Sequence, residues 1–172
     1  MSLAGKRIAI LAEDIYEDLE LWYPYYRLVE EGAEVKIVGP EAKNYKSKHG
    51  YPVQAEFAAD KVKADDFDGV VVPGGFAPDR LRRYSAVLNL IRGVFEKGGV
   101  VASICHGAWV LISADIMKGR RATCVSAIKD DLINAGATYL DQEVVVDGNL
   151  VTSRTPQDLP SFLPAIITAL EK

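Results

Sequence analysis

Sulfur and imidazole are scarce in this chain: two cysteines and two histidines among 172 residues. Cys105 and Cys124 are too few for the disulfide framework of a small secreted domain. His49 and His106 have no partners at ligand spacing, so no metal site is expected. No apolar run approaches the ~18 residues of a membrane span. The stretch Ile8 to Ala12 behind Lys6-Arg7 is too short for a signal peptide and has no cleavage site after it. N-glycosylation acceptors are absent. So are the G-x-G-x-x-G and G-x-x-x-x-G-K-[ST] loops, and Gly74-Gly75 alone reads first as a tight turn. No cofactor is therefore expected. Basic residues are the minority, 20 Lys and Arg against 24 Asp and Glu, for a net charge of −4. That balance argues against a nucleic-acid binder working by phosphate neutralisation. The expectation is a cytosolic, thiol-reduced protein with neither nucleic-acid nor membrane partners.

The residues present alternate short β-branched runs with longer helical stretches. Lys6 to Leu11, Glu34 to Val38, Gly69 to Val72 and Val100 to Ile104 read as strands. A weaker strand lies near Arg121 to Val125. Helices are predicted over Glu17 to Glu31, Ser85 to Lys97, Ala108 to Ser113, Lys129 to Ala135 and Gln157 to Leu170. Gly32 supplies a left-handed stop to the first. Leu19, Trp22, Tyr26 and Val29 repeat at three- and four-residue spacing and predict its buried stripe, with a kink at Pro24. Tyr23 and Tyr25 fall off that stripe and suggest a subunit contact. Residues Tyr45 to Glu56 suggest a small hairpin at the sheet's edge. Glu143 to Ser153 reads as a second hairpin, turning at Asp147-Gly148-Asn149. Strands alternating with helices give one α/β domain, residues 5–171, with a mostly parallel sheet and helices on both faces.

In such a sheet, ligands sit beyond the carboxyl ends of the strands. Three loops should meet there: Glu13 to Asp18, Gly74 to Asp79, and Cys105-His106-Gly107. The last is the informative one. A residue between a strand and the next helix occupies a sharp turn that pushes its side chain clear, which is the geometry of a nucleophile elbow. The helix N-terminus favours thiolate there, and Gly107 lets the chain turn closely behind. A lone cysteine is otherwise a small buried hydrophobe; its place at the elbow beside His106 favours catalysis. The imidazole needs a third group to aim it, and Asp79 is the candidate. Asp79 reads equally as a helix cap. Arg80, Arg82 and Arg83 could guide an anion to the crevice, although a solvated face is the simpler reading. Cys124 reads as a buried spectator and His49 as a turn residue.

Nearly the whole chain resembles the DJ-1/PfpI superfamily, and within it the PfpI-type intracellular protease and protein deglycase branch. The resemblance rests on Tyr16-Glu17-Asp18-Leu19-Glu20-Leu21, Pro24 to Leu28, Lys48-His49-Gly50, Val72 to Gly75, Ala102 to Gly107, Ile128 to Asp131, Asn134 to Gly136 and Val144 to Arg154. It implies a flavodoxin-like three-layer α/β/α sandwich, like that of class I glutamine amidotransferase domains. Those domains also need a histidine late in the chain, and none follows His106. The resemblance places the nucleophile at Cys105 with His106 beside it. It puts the carboxyl that lies against the sulfur at Glu17, and an acid reaching the histidine from a neighbouring subunit at Asp79. Branch members often carry the longer Glu at that position. Oxyanion donors would be the backbone N–H groups of Gly75 and His106. Two departures are Val125, where some relatives have tyrosine, and Trp109, in place of a smaller polar residue. A thiolate beside a carboxylate is like-charge repulsion, so the expectation is a neutral Glu17 above pH 6 and a low thiol pKa. The implied activity is thiolate attack on a carbonyl, in peptides or in α-oxoaldehyde adducts, by a homodimer or a hexamer built as three dimers. The competing reading is an oxidative-stress sensor using the same sulfur.

Overall fold

The computed structural model describes residues 1–172. Four apolar runs become its inner strands: β1 (Arg7–Leu11), β2 (Glu34–Gly39), β6 (Gly69–Val72) and β7 (Val100–Ile104). β6 and β7 are buried along their entire length, because helices cover both faces of a parallel sheet and no position is left to alternate toward water. Between β2 and β6 come β3 (Asn44–Lys46), β4 (Pro52–Gln54) and β5 (Phe57–Ala58). Beyond β7 lie β8 (Arg121–Ala122), β9 (Thr138–Tyr139), β10 (Val144–Asp147) and β11 (Leu150–Ser153). The main sheet has the order β10-β11-β7-β6-β1-β2-β5 and is parallel except for the β10–β11 hairpin. The first hairpin, β3–β4, forms a separate two-stranded sheet, and only the two-residue β5 extends the main one. β8 pairs with β9 in another small sheet.

The helices are α1 (Asp18–Glu30), α2 (Ala77–Leu81), α3 (Ser85–Glu96), α4 (Ala108–Ser113), α5 (Lys129–Asn134) and α6 (Leu159–Leu170). α1 packs with α6 on one face of the sheet, while α2 to α5 pack together on the other. The result is the expected three-layer α/β/α arrangement. No helix range is read from the sequence for the short α2. No helix is long and apolar enough to cross a membrane.

The stripe expected on α1 is a correction. The residues it buries are Glu20, Leu21, Pro24 and Leu28, while Leu19 and Tyr26 are 57% and 62% exposed and Val29 is exposed too. Apolar residues populate both sides of this helix, so periodicity alone does not select the inner one. The sheet takes the side carrying a carboxyl, and the aromatic side faces out. The helix runs through Pro24.

Candidate functional site

β7, β6 and β1 are neighbours in the sheet, so the loops after them share one rim. Backbone bonds lock the rim: Glu17 N–H donates to Gly74 O at 3.1 Å, and Phe76 N–H donates to Ile15 O at 2.8 Å. Gly75 has φ +77°, and a Cβ there would stand 2.5 Å from Glu17 N. Only glycine lets the two loops approach this closely.

Cys105 follows β7 with φ +60°, one of three non-glycine residues in the left-handed region. The turn Cys105–Gly107 leads directly into α4. This is the sharp strand-to-helix reversal expected from the sequence, and it costs backbone strain that the surrounding packing must sustain. The thiol is half-buried, with Sγ 3.3 Å from His106 Nδ1. The backbone N–H groups of His106 and Gly75 both face the sulfur and favour its anion. The two donors named in the sequence thus stand together at the nucleophile.

The carboxyl against the sulfur belongs to Glu20, in place of Glu17. Glu20 is fully buried, and its Oε2 accepts from Gly74 N–H at 2.7 Å. A Cβ at Gly74 would lie 2.5 Å from that oxygen and 2.6 Å from Cys105 Cβ, so the absence of a side chain there lets acid and thiol meet. Glu17 is occupied otherwise. It caps α1 by accepting from Glu20 N–H at 2.9 Å, and Lys48 Nζ lies 3.7 Å from its other oxygen. A side chain bent back onto its own helix cannot also reach the elbow. The signal for Glu20 was present in the spacing: Glu17, Glu20, Leu21, Pro24 and Leu28 share one face, and an acid on the packed side of a helix is conspicuous.

Burial, reinforced by the Glu17 carboxylate, raises Glu20 to about 8, so it holds its proton at neutral pH. Its Oε1 has no hydrogen-bond partner within the chain, which a neutral carboxyl tolerates better than a carboxylate. The low thiol pKa expected from the helix terminus is not found. Burial, then the Glu20 charge, push Cys105 up to about 12 against the two backbone donors. Burial also lowers His106, leaving a neutral imidazole able to accept a proton. A protonated acid, a thiol and a proton acceptor therefore stand in sequence.

Asp79 lies in α2, where its Oδ2 accepts from Arg83 Nη2 at 2.6 Å; it makes no hydrogen bond or ion pair with His106 within the chain. It does not cap α2, because the residue at the cap is Phe76. His49 is more than a turn residue: its Nδ1 meets Asp18 Oδ2 at 2.8 Å, and Ser47 Oγ donates to Asp18 Oδ1 at 2.6 Å. This network ties the β3–β4 turn to the start of α1. Cys124 is fully buried, and no group of three or more metal-ligating side chains comes together anywhere in the chain.

Comparison with known proteins bears on the chain and its fold as a whole. The sequence profile of the DJ-1/PfpI family matches residues 6–169. The protein named deglycase PfpI of Pyrococcus furiosus is 46% identical over 96% of this chain and 99% of its own. A crystal structure of a two-domain protein from Anabaena variabilis, with DJ-1/ThiJ/PfpI-like and ferritin-like domains, superposes with a TM-score of 0.95 at 43% identity. It covers 96% of this chain and 48% of that one. Drosophila melanogaster DJ-1β superposes with a TM-score of 0.90 at 28% identity, over 96% of this chain and 90% of that one.

Proposed function

Because this chain belongs to the DJ-1/PfpI family, we propose that it is a cysteine-dependent hydrolase that removes α-oxoaldehyde adducts from amines and thiols. The observation that carries the proposal is Cys105 held at φ +60° with its sulfur 3.3 Å from an imidazole nitrogen. In the reaction, His106 Nδ1 takes the thiol proton as sulfur bonds to the substrate carbonyl carbon. The oxygen that gains charge is met by the N–H groups of Gly75 and His106. Neutral Glu20 donates a hydrogen bond to sulfur and so favours the anion without repelling it. The amine or thiol departs from the neighbouring carbinol carbon with the His106 proton, as that carbon's hydroxyl becomes a carbonyl and passes its proton to the oxyanion. The carbon–sulfur bond then reopens, the proton returns to sulfur, and the α-oxoaldehyde leaves to be hydrated by water. Turnover of methylglyoxal adducts and of casein by wild type, Cys105→Ser and His106→Ala is the test. Adduct turnover should vanish in the first variant and fall at least about a hundredfold in the second. If wild type turns over neither substrate while mild peroxide oxidises Cys105, the site is a sensor instead.

The same reading includes self-association, with Asp79 of one copy aiming His106 of another. Two features support it: the only hydrogen bond of the His106 ring within the chain is to sulfur, and α1 leaves Leu19, Tyr23, Tyr26 and Val29 exposed. Mixing Asp79→Asn with Cys105→Ser subunits should restore activity that neither has alone, at an unchanged native mass. Absence of complementation in verified mixed assemblies would rule the cross-subunit role out.

A further inference from the structure

Three arginines follow the β6 loop, and two of them have acidic partners. Arg80 Nη1 lies 3.9 Å from Asp14 Oδ2, and Arg83 Nη2 lies 2.6 Å from Asp79 Oδ2. Arg82 has no acidic partner. Its Nε donates to Ser113 Oγ at 2.9 Å, and its guanidinium carbon sits 5.5 Å from the centre of the Trp109 ring. Its two terminal nitrogens make no hydrogen bond or ion pair within the chain.

Trp109 is itself fixed. Its Nε1 donates to Asp131 Oδ2 at 2.8 Å, and its ring meets the His106 ring edge-on, with centres 5.0 Å apart. A continuous row therefore runs from the Cys105 sulfur through His106 and Trp109 to Arg82. The Trp109–Arg82 end of this row borders a surface cleft that Ile112, Asp131, Asn134 and Ala135 also line. A guanidinium held by one hydrogen bond and a cation–π contact presents its remaining N–H groups as a fork suited to a planar oxyanion. One fork matches one carboxylate. A dianionic phosphate would find a single cation with the Asp131 carboxylate near by, a poor balance of charge.

We propose that Arg82 and Trp109 form a carboxylate-binding subsite on the His106 side of the nucleophile. Carbonyl adducts whose departing group carries a free carboxylate are then preferred over neutral ones. This deepens the hydrolase reading and rests on it.

The test compares hemithioacetals of methylglyoxal with N-acetylcysteine and with N-acetylcysteinamide, which differ only in that charge. Wild type should favour the carboxylate in kcat/KM by about tenfold, with the difference in KM. Arg82→Gln should bring the ratio near one, and Arg82→Lys should recover part of it. Asp131→Asn keeps an acceptor for the indole, removes the nearby negative charge, and should raise the ratio. A wild-type ratio near one, or a ratio indifferent to Arg82, overturns the subsite. So does a native mass that falls in Arg82→Gln with equal loss on both substrates, which makes Arg82 a subunit contact. Calorimetric titration of Cys105→Ser with N-acetylmethionine and its amide reads the same preference without turnover. Failure of the hydrolase reading appears separately, as hemithioacetal turnover that does not depend on Cys105.

Discussion

Chemistry in this molecule turns on which of two acids, three residues apart, faces the sulfur. Glu17 and Glu20 have identical side chains, but the first ends in a helix cap and the second under the sheet's rim. Because burial raises Glu20 to about 8, the site changes character near that pH. Below it the acid donates to sulfur; above it a carboxylate opposes the thiolate. Plotted against pH, the logarithm of the Cys105 alkylation rate should climb and then bend near pH 8. In Glu20→Gln the bend should be absent and the climb continuous. A bend that survives the substitution would assign it to another group. Cys105 itself was legible in the sequence, because a cysteine between a buried strand and a helix has few other reasons to sit there. The identity of its acid was not, since that depends on which way a helix is rolled.

Rolling is an element-scale property, and α1 shows why a pattern read alone misleads. Leu19, Trp22, Tyr26 and Val29 form as regular a stripe as any core helix, yet most of it lies outside. What decides the matter is the packing of α1 against β2 and α6, which buries Leu21, Pro24 and Leu28 and is a property of partners distant in sequence. The central strands were legible because burial on both faces leaves continuous β-branched runs. β5 and β9, at two residues each, carry too little pattern to be found, and β8 keeps only Arg121–Ala122 of the strand expected near Arg121 to Val125. The β6–α2 loop was read as a tight turn, but its backbone does more. Gly74→Ala would drive a methyl into the Cys105 Cβ and the Glu20 carboxyl. Overpacking of this kind costs roughly 1–3 kcal/mol. A melting curve should show that loss together with loss of turnover. A variant that melts like wild type and stays active would show that the acid and thiol have room to separate.

For the molecule as a whole, a buried acid with a raised affinity for its proton makes stability depend on pH in an unusual direction. Between the ordinary carboxylate range, near 4.5, and about 8, the folded state holds a proton that the unfolded chain has released. Stability from this group is therefore complete below that window and declines as pH rises through it. Chemical denaturation at pH 5 and pH 8 should show wild type losing stability toward the higher value. Glu20→Gln, which has no proton to lose, should lose less. Equal slopes in the two proteins would place the titrating group elsewhere.

The left-handed backbone at Cys105 sets the fold against its own reactive centre. Placing a side chain in that conformation costs roughly 1–2 kcal/mol, a tension that glycine would not feel. Elsewhere in a regular element alanine outranks glycine by roughly 0.5–1 kcal/mol. At this one position the ranking should invert, with Cys105→Gly melting above Cys105→Ala although both are inert. The most comfortable residue for this corner of the polypeptide is one that can do no chemistry, so the sulfur is kept there at the expense of the scaffold that carries it.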